Sequence, residues 1–158
     1  MSKLVVAVDL GKWKCGRAIA LDGRVVDCRT ISIPRRRNHR PGVMAQALTD
    51  PDSLAWEFKS YGSEWVCEWP KKYPHQRAKH QNIDDLHAVG KCLRWDKKYS
   101  PHAWKGNVAK PAHRARIKRA LTPEELAVMP PMADHDAWDA CGILLFHLGR
   151  VKRGGIKP

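Results

Sequence analysis

Leu4, Val5, Val6, Ala7 and Val8 form an unbroken apolar run that ends on a carboxylate, Asp9. Five residues are too few for a helix and suit one strand, and three of them are β-branched valines. A strand with no polar alternation is buried on both faces. The chain therefore needs a sheet covered by helices on each side, with this strand in its interior. Asp9 then stands at the carboxyl end of a buried strand, the place where open α/β sheets collect their ligands.

The next 25 residues read as an antiparallel meander. Gly11 and Gly16 bracket a turn, residues 15–21 form a second strand, Asp22-Gly23 makes a tight hairpin and residues 24–33 form a third strand up to Pro34. Residues 35–40 (Arg-Arg-Arg-Asn-His-Arg) followed by Pro41-Gly42 read as a loop. Asp50-Pro51 is a helix start, with Leu54, Phe58 and Tyr61 on one face and Gly62 closing the helix. Residues 64–68 form a fourth strand stopped by Pro70, and a basic, aromatic stretch runs over residues 71–81. Ile83, Leu86, Val89 and Leu93 support a helix capped by Asn82, and residues 95–100 form a fifth strand. A basic helix spans residues 111–121, Thr122-Pro123-Glu124-Glu125 is a capping box, and a last helix begins near Asp134. The expected fold is α/β: a mixed five-stranded sheet, three antiparallel strands first and parallel strands after, with helices on both faces. Residues 1–150 are expected to form a single domain and residues 151–158 a basic flexible tail.

Composition limits the partners. The chain carries 29 Lys and Arg against 16 Asp and Glu, a surplus of +13. Such a field attracts a polyanion, and seven Trp and three Tyr offer faces for base stacking. The arginines Arg35, Arg36, Arg37 and Arg40 are a candidate phosphate-binding arm or a solvated charge run. Trp69, Lys71, Lys72 and Tyr73 are candidate nucleic-acid contacts, or packing and surface residues around the fourth strand. Cys15, Cys28, Cys67, Cys92 and Cys141 are odd in number and contain no CxxC pair. Reduced thiols and a cytoplasmic location fit that pattern. A Cys67, His75, His80, Cys92 zinc set has a spacing that matches no familiar module. No apolar stretch approaches the roughly 20 residues of a membrane span, so no membrane partner is expected.

Four of the 16 acids stand out. Asp9 and Glu68 each close a strand. If those strands are parallel neighbours, the carboxylates face each other across ~4.8 Å. Two anions so close repel unless a cation lies between them. Asp136 and Asp139 are three residues apart, on one face of the last helix. Alone they are helix-start residues. Beside Asp9 and Glu68 they complete an oxygen donor set for two hard cations, Mg²⁺ or Mn²⁺, suited to phosphodiester hydrolysis.

Three segments carry a family resemblance. Val6-Ala7-Val8-Asp9-Leu10-Gly11, with Gly16 after it, resembles the first-strand signature of the RNase H-like superfamily. Val66-Cys67-Glu68 resembles its fourth-strand acid, and His135-Asp136-Ala137-Trp138-Asp139-Ala140 resembles the acidic helix of RuvC-like Holliday-junction resolvases. Ser100-Pro101-His102-Ala103-Trp104-Lys105-Gly106 is similar to the segment after the fifth strand in that family. The resemblance implies an RNase H-like fold and a homodimeric endonuclease that nicks two strands of a four-way DNA junction, in a bacterial or phage-infected cell. It implies Asp9, Glu68, Asp136 and Asp139 as catalytic metal ligands, with Lys105 and Lys110 at the scissile phosphate. Where the family carries an aromatic wedge past the fourth-strand acid, this chain has Lys71 flanked by Trp69 and Tyr73. The glycine-rich stretch before the basic helix is reduced to Gly106-Asn107.

Three other readings share parts of this evidence. An RNase H-like nuclease acting on other branched DNA or RNA–DNA hybrids would use the same carboxylates. A non-catalytic DNA-binding protein would need only the basic surface. An actin-like or sugar-kinase fold shares the Asp-x-Gly strand end but needs a second domain.

Overall fold

One five-stranded sheet organises the described chain, in the order β3-β2-β1-β4-β5. The structure is a computed structural model that describes residues 2–35, 40–50 and 62–153. Strand β1 (Leu4–Asp9) is central and pairs antiparallel with β2 (Lys14–Leu21), which pairs antiparallel with β3 (Arg24–Ser32). On its other side β1 runs parallel to β4 (Glu64–Glu68), and β4 runs parallel to β5 (Lys97–Tyr99). The expected mixed sheet is present, with the apolar run at its centre. Asp22 and Gly23 both adopt positive φ, 51° and 81°. That pair of values gives the turn the right-handed twist of the strands it joins.

Helices cover both faces. On one face lie α1 (Pro41–Leu48) and α2 (His80–Lys91), entered through a 3-10 turn at Pro74–Lys79. On the other lie the short α3 (Pro101–Trp104), α4 (Lys110–Ala120), α5 (Pro123–Ala127) and α6 (His135–His147). The side-chain period of two divides β1 between them. Leu4, Val6 and Val8 pack with Met44, Leu48 and Val89, whereas Val5 and Ala7 pack with Ala140, Cys141 and Leu144 of α6. Small residues make the second interface close: Ala7, Ala18 and Ala20 of the sheet meet Ala137 and Ala140 of α6.

Four local readings need correction or fall outside the described residues. Gly16 does not close a turn; it lies inside β2, opposite Asp9. Pro41 and Gly42 are not loop but the first turn of α1, where proline's fixed φ and missing N–H cost nothing. Asn82 is inside α2, which begins at His80, so it does not cap it. The helix expected from Asp50-Pro51 onward lies outside the described residues. The capping box is as expected: Thr122 accepts from the Glu125 amide and Glu125 accepts from the Thr122 amide. Among the described residues no helix is long and apolar enough to cross a membrane.

Candidate active site

The alternation that buries Val5 and Ala7 under α6 also aims Asp9 toward that helix. On β4 the same rule puts Val66 in the α6 core and aims Glu68 the same way. Val8 is the register partner of Cys67, so Asp9 and Glu68 stand side by side one step further along parallel strands. Helix α6 brings Asp136 in its first turn and Asp139 one turn later, both partly buried. Glycine at position 16 permits this approach. A Cβ there would lie 1.8 Å from the Asp136 carbonyl oxygen. Thr30 on β3 hydrogen-bonds Asp134 just ahead of the helix, and Cys28 Sγ donates to the Ala137 carbonyl at 3.1 Å.

The four acids share an electrostatic field. Burial pushes the Asp9 carboxyl well above the ordinary aspartate range, and the charges of Glu68, Asp139 and Asp136 push it further, against Lys105. Glu68 is raised by burial and by Asp139, and is opposed by Lys105 and by a hydrogen bond from Trp104 Nε1 to its Oε2 at 2.7 Å. Asp136 is raised by burial and by Asp134 and Asp139, with Lys14 opposing. Lys105 Nζ lies 3.4 Å from Asp139 Oδ2. Among the described residues, no three His, Cys, Asp or Glu side chains are grouped closely enough to hold a metal ion as they stand. The donor set is nonetheless all oxygen, partly buried and mutually repelling. That is the chemistry that a hard divalent cation relieves and that an unaided fold does not favour.

The remaining described sequence candidates have other surroundings. Lys110 is exposed at the first position of α4, and Lys71 and Tyr73 are exposed beyond β4. Lys72 pairs with Asp84 at 2.5 Å. Trp69 belongs to the opposite face of the sheet by the β4 alternation: it stacks on His87 with ring centroids 4.6 Å apart, and Lys98 Nζ lies 3.9 Å from its centroid. Arg35 and Arg40 are exposed; Arg36 and Arg37 lie outside the described residues. Residues 75, 80 and 92 of the unfavoured zinc set do not form a ligand group with Cys67.

The roles of two residues near the site escaped the sequence reading, although one of them, Trp104, lies in the segment of residues 100–106 singled out there. Arg114 on α4 reaches across to α6, where it bonds His135 beside Asp136 and donates to the Met132 carbonyl at 3.3 Å. Its only sequence signal was membership of a basic helix. Trp104, fully buried, is the hydrogen-bond partner of Glu68 from 36 residues away. Nothing in its neighbours along the chain marks that role.

No protein-family model matches the chain, and no curated protein does. Solved structures do. A structure described as Thermus thermophilus RuvC in complex with Holliday junction substrate superposes with a TM-score of 0.59 at 15% identity, covering 94% of this chain and 98% of that one. A second Thermus thermophilus RuvC structure gives 0.55 at 14% identity over the same shares. The chain thus has a RuvC-like fold of the RNase H-like class, in agreement with its strand order and with the resemblance of its three acidic segments.

Proposed function

We propose that this protein is a metal-dependent endonuclease that resolves four-way DNA junctions, working as a homodimer in the cytoplasm of a bacterial or phage-infected cell. The observation that carries the reading is that Glu68, Asp136 and Asp139 all lie near enough to Asp9 to raise its proton affinity, inside a chain of net charge +13. Neither feature alone suffices: a structural acid cluster would not repay its own repulsion, and a plain DNA-binding surface has no use for one.

In this reading the four carboxylates hold two divalent cations, Mg²⁺ or Mn²⁺. Bound there, such ions supply an activated water and stabilise the leaving oxygen of a phosphodiester. The protein's own residues do the rest. Asp9 and Glu68 stand on rigid strand ends, which would fix where the cations sit and, through them, where a scissile phosphate must lie. Lys105, tethered to Asp139, offers its remaining N–H donors to phosphate oxygens. Lys110, Arg114 and the exposed Lys71, Arg35 and Arg40 would supply positive charge, and Tyr73 a stacking face, for the arms of the junction, with Arg36 and Arg37 in the same basic run of sequence. Two nicks across one junction need two such sites, which is the role of the dimer.

A substrate panel tests the proposal: an immobile four-way junction, a flap, a fork, a linear duplex and an RNA–DNA hybrid, each in Mg²⁺. Preferential cleavage of the four-way junction supports it. Preference for the hybrid or the flap assigns the same site to another branched or hybrid substrate. Binding without cleavage in either Mg²⁺ or Mn²⁺ leaves only a DNA-binding protein.

A further inference from the structure

We propose that Trp104 is a positioning residue for Glu68: its indole N–H fixes the Glu68 carboxylate in the one orientation that serves the acidic cluster. The inference rests on the reading above, that this cluster binds divalent cations.

Gly142 lies in the interior of α6, where glycine weakens a helix relative to alanine. A Cβ at Gly142 would stand 2.6 Å from Trp104 Cζ3 and 2.8 Å from Ile117 Cδ1. The missing side chain is the socket for the indole. His113 closes another side, its ring edge-to-face with Trp104 at 4.9 Å between centroids. Trp104 is 0% exposed. A tryptophan packed between Gly142, Ile117 and His113 has no free rotamer, so its N–H points in a single direction. In that direction lies Glu68 Oε2, at 2.7 Å.

Glutamate needs such help more than aspartate does. It has three side-chain torsions and loses more rotamer freedom than most residues when fixed. Asp9, Asp136 and Asp139 are short and are aimed by their backbone. Glu68 alone among the four requires a second group to aim it. The socket and Asp139 also share a helix, with Gly142 three residues beyond Asp139. Any shift of α6 therefore moves the helix carboxylates and the Glu68 clamp together.

Trp104→Phe tests this by keeping the ring and deleting the donor. The folded variant is expected to bind Mg²⁺ about 5–10-fold more weakly by calorimetry without DNA, the loss of about one charge-assisted hydrogen bond's influence. Its cleavage should need correspondingly more Mg²⁺. Parental Mg²⁺ affinity in the folded variant overturns the proposal. Should Trp104→Phe fail to fold, Gly142→Ala narrows the socket from the helix side, and parental affinity there overturns it equally. A second readout is independent of cations: the Trp104 indole ¹⁵N–¹H resonance should move in Glu68→Gln protein. If the wild-type protein binds no Mg²⁺, the cation reading fails, and this resonance alone decides the clamp: unmoved, the clamp is refuted; moved, it stands.

Discussion

Gly16 and Asp136 meet backbone to backbone: a Cβ on Gly16 would lie 1.8 Å from the Asp136 carbonyl oxygen. Gly16 is also the register partner of Asp9 across β1 and β2. One absent side chain thus lets the first turn of α6 settle beside the strand-end carboxylate. Gly16→Ala should push α6 off the sheet. Overpacking of this kind typically costs about 1–3 kcal/mol, readable by urea denaturation, and the displaced Asp136 should lower Mg²⁺-dependent cleavage by at least about tenfold. Parental stability and rate together would show that the approach is unimportant.

The repulsion within the cluster predicts a pH dependence of the metal-free fold. Asp9 is raised above its ordinary 3.8, so the native state holds its proton more tightly than the unfolded chain does. The native state is favoured by that group below about pH 4, and loses this contribution as pH rises through the native value. Asp9→Asn removes the loss. The variant should therefore be more stable than wild type at neutral pH and little different from it at pH 4. Urea titrations of both proteins between pH 4 and 8 check this, and Mg²⁺ should stabilise wild type more than the variant.

The opposite sign belongs to Glu125, on the far side of α6. It accepts from Arg150 at 2.6 Å through each oxygen and from the Val25 amide at 2.9 Å, which ties α5, β3 and the end of α6 together. The Arg150 hydrogen bonds pull its pKa from 4.5 down to about 2. Its stabilisation is complete above about pH 4.5 and is lost as pH falls toward 2, worth about 3 kcal/mol in all. Glu125→Gln should flatten that part of the acid denaturation curve, while DNA cleavage by the folded protein stays within about twofold of wild type.

Lys105 and Arg114 should separate in their effects on DNA. Lys105→Met removes the cation beside Asp139 and should cut the cleavage rate about 100-fold or more, with a modest loss of binding. Arg114→Ala should weaken junction binding and reduce the slope of log affinity against log salt by about 1. Equal effects of the two variants on rate and on slope would merge the roles assigned to them.

Local chemistry was legible wherever it was self-contained. The Leu4–Asp9 strand announced itself by five apolar residues and a terminal acid, the hairpin by Asp22-Gly23, and α5 by the reciprocal Thr122 and Glu125 signature. Asp9 and Glu68 could be put at strand ends, and Asp136 and Asp139 on one helix face, from spacing alone, but that β1 and β4 lie side by side and parallel was only a condition until the structure met it. What was hidden depended on meetings between distant segments. Helix α1 has only Met44, Ala45 and Leu48 buried, too short a pattern to rise above the arginine run and Pro-Gly before it. Gly16 looked like a turn residue because a glycine does not declare whether it serves its own backbone or a neighbour's approach. Trp104 and Gly142 form one socket across 38 positions, and neither has meaning without the other.

If the four carboxylates bind divalent cations and cut branched DNA, Asp9 must be indispensable to cleavage and dispensable to binding. The most direct test is end-labelled cleavage of an immobile four-way junction in Mg²⁺, with nick positions mapped on all four strands for wild type and Asp9→Asn. Wild type should make paired, symmetric nicks near the branch point, and Asp9→Asn protein should make none while still binding the junction. Cleavage by Asp9→Asn at the parental rate would contradict this role for the four carboxylates.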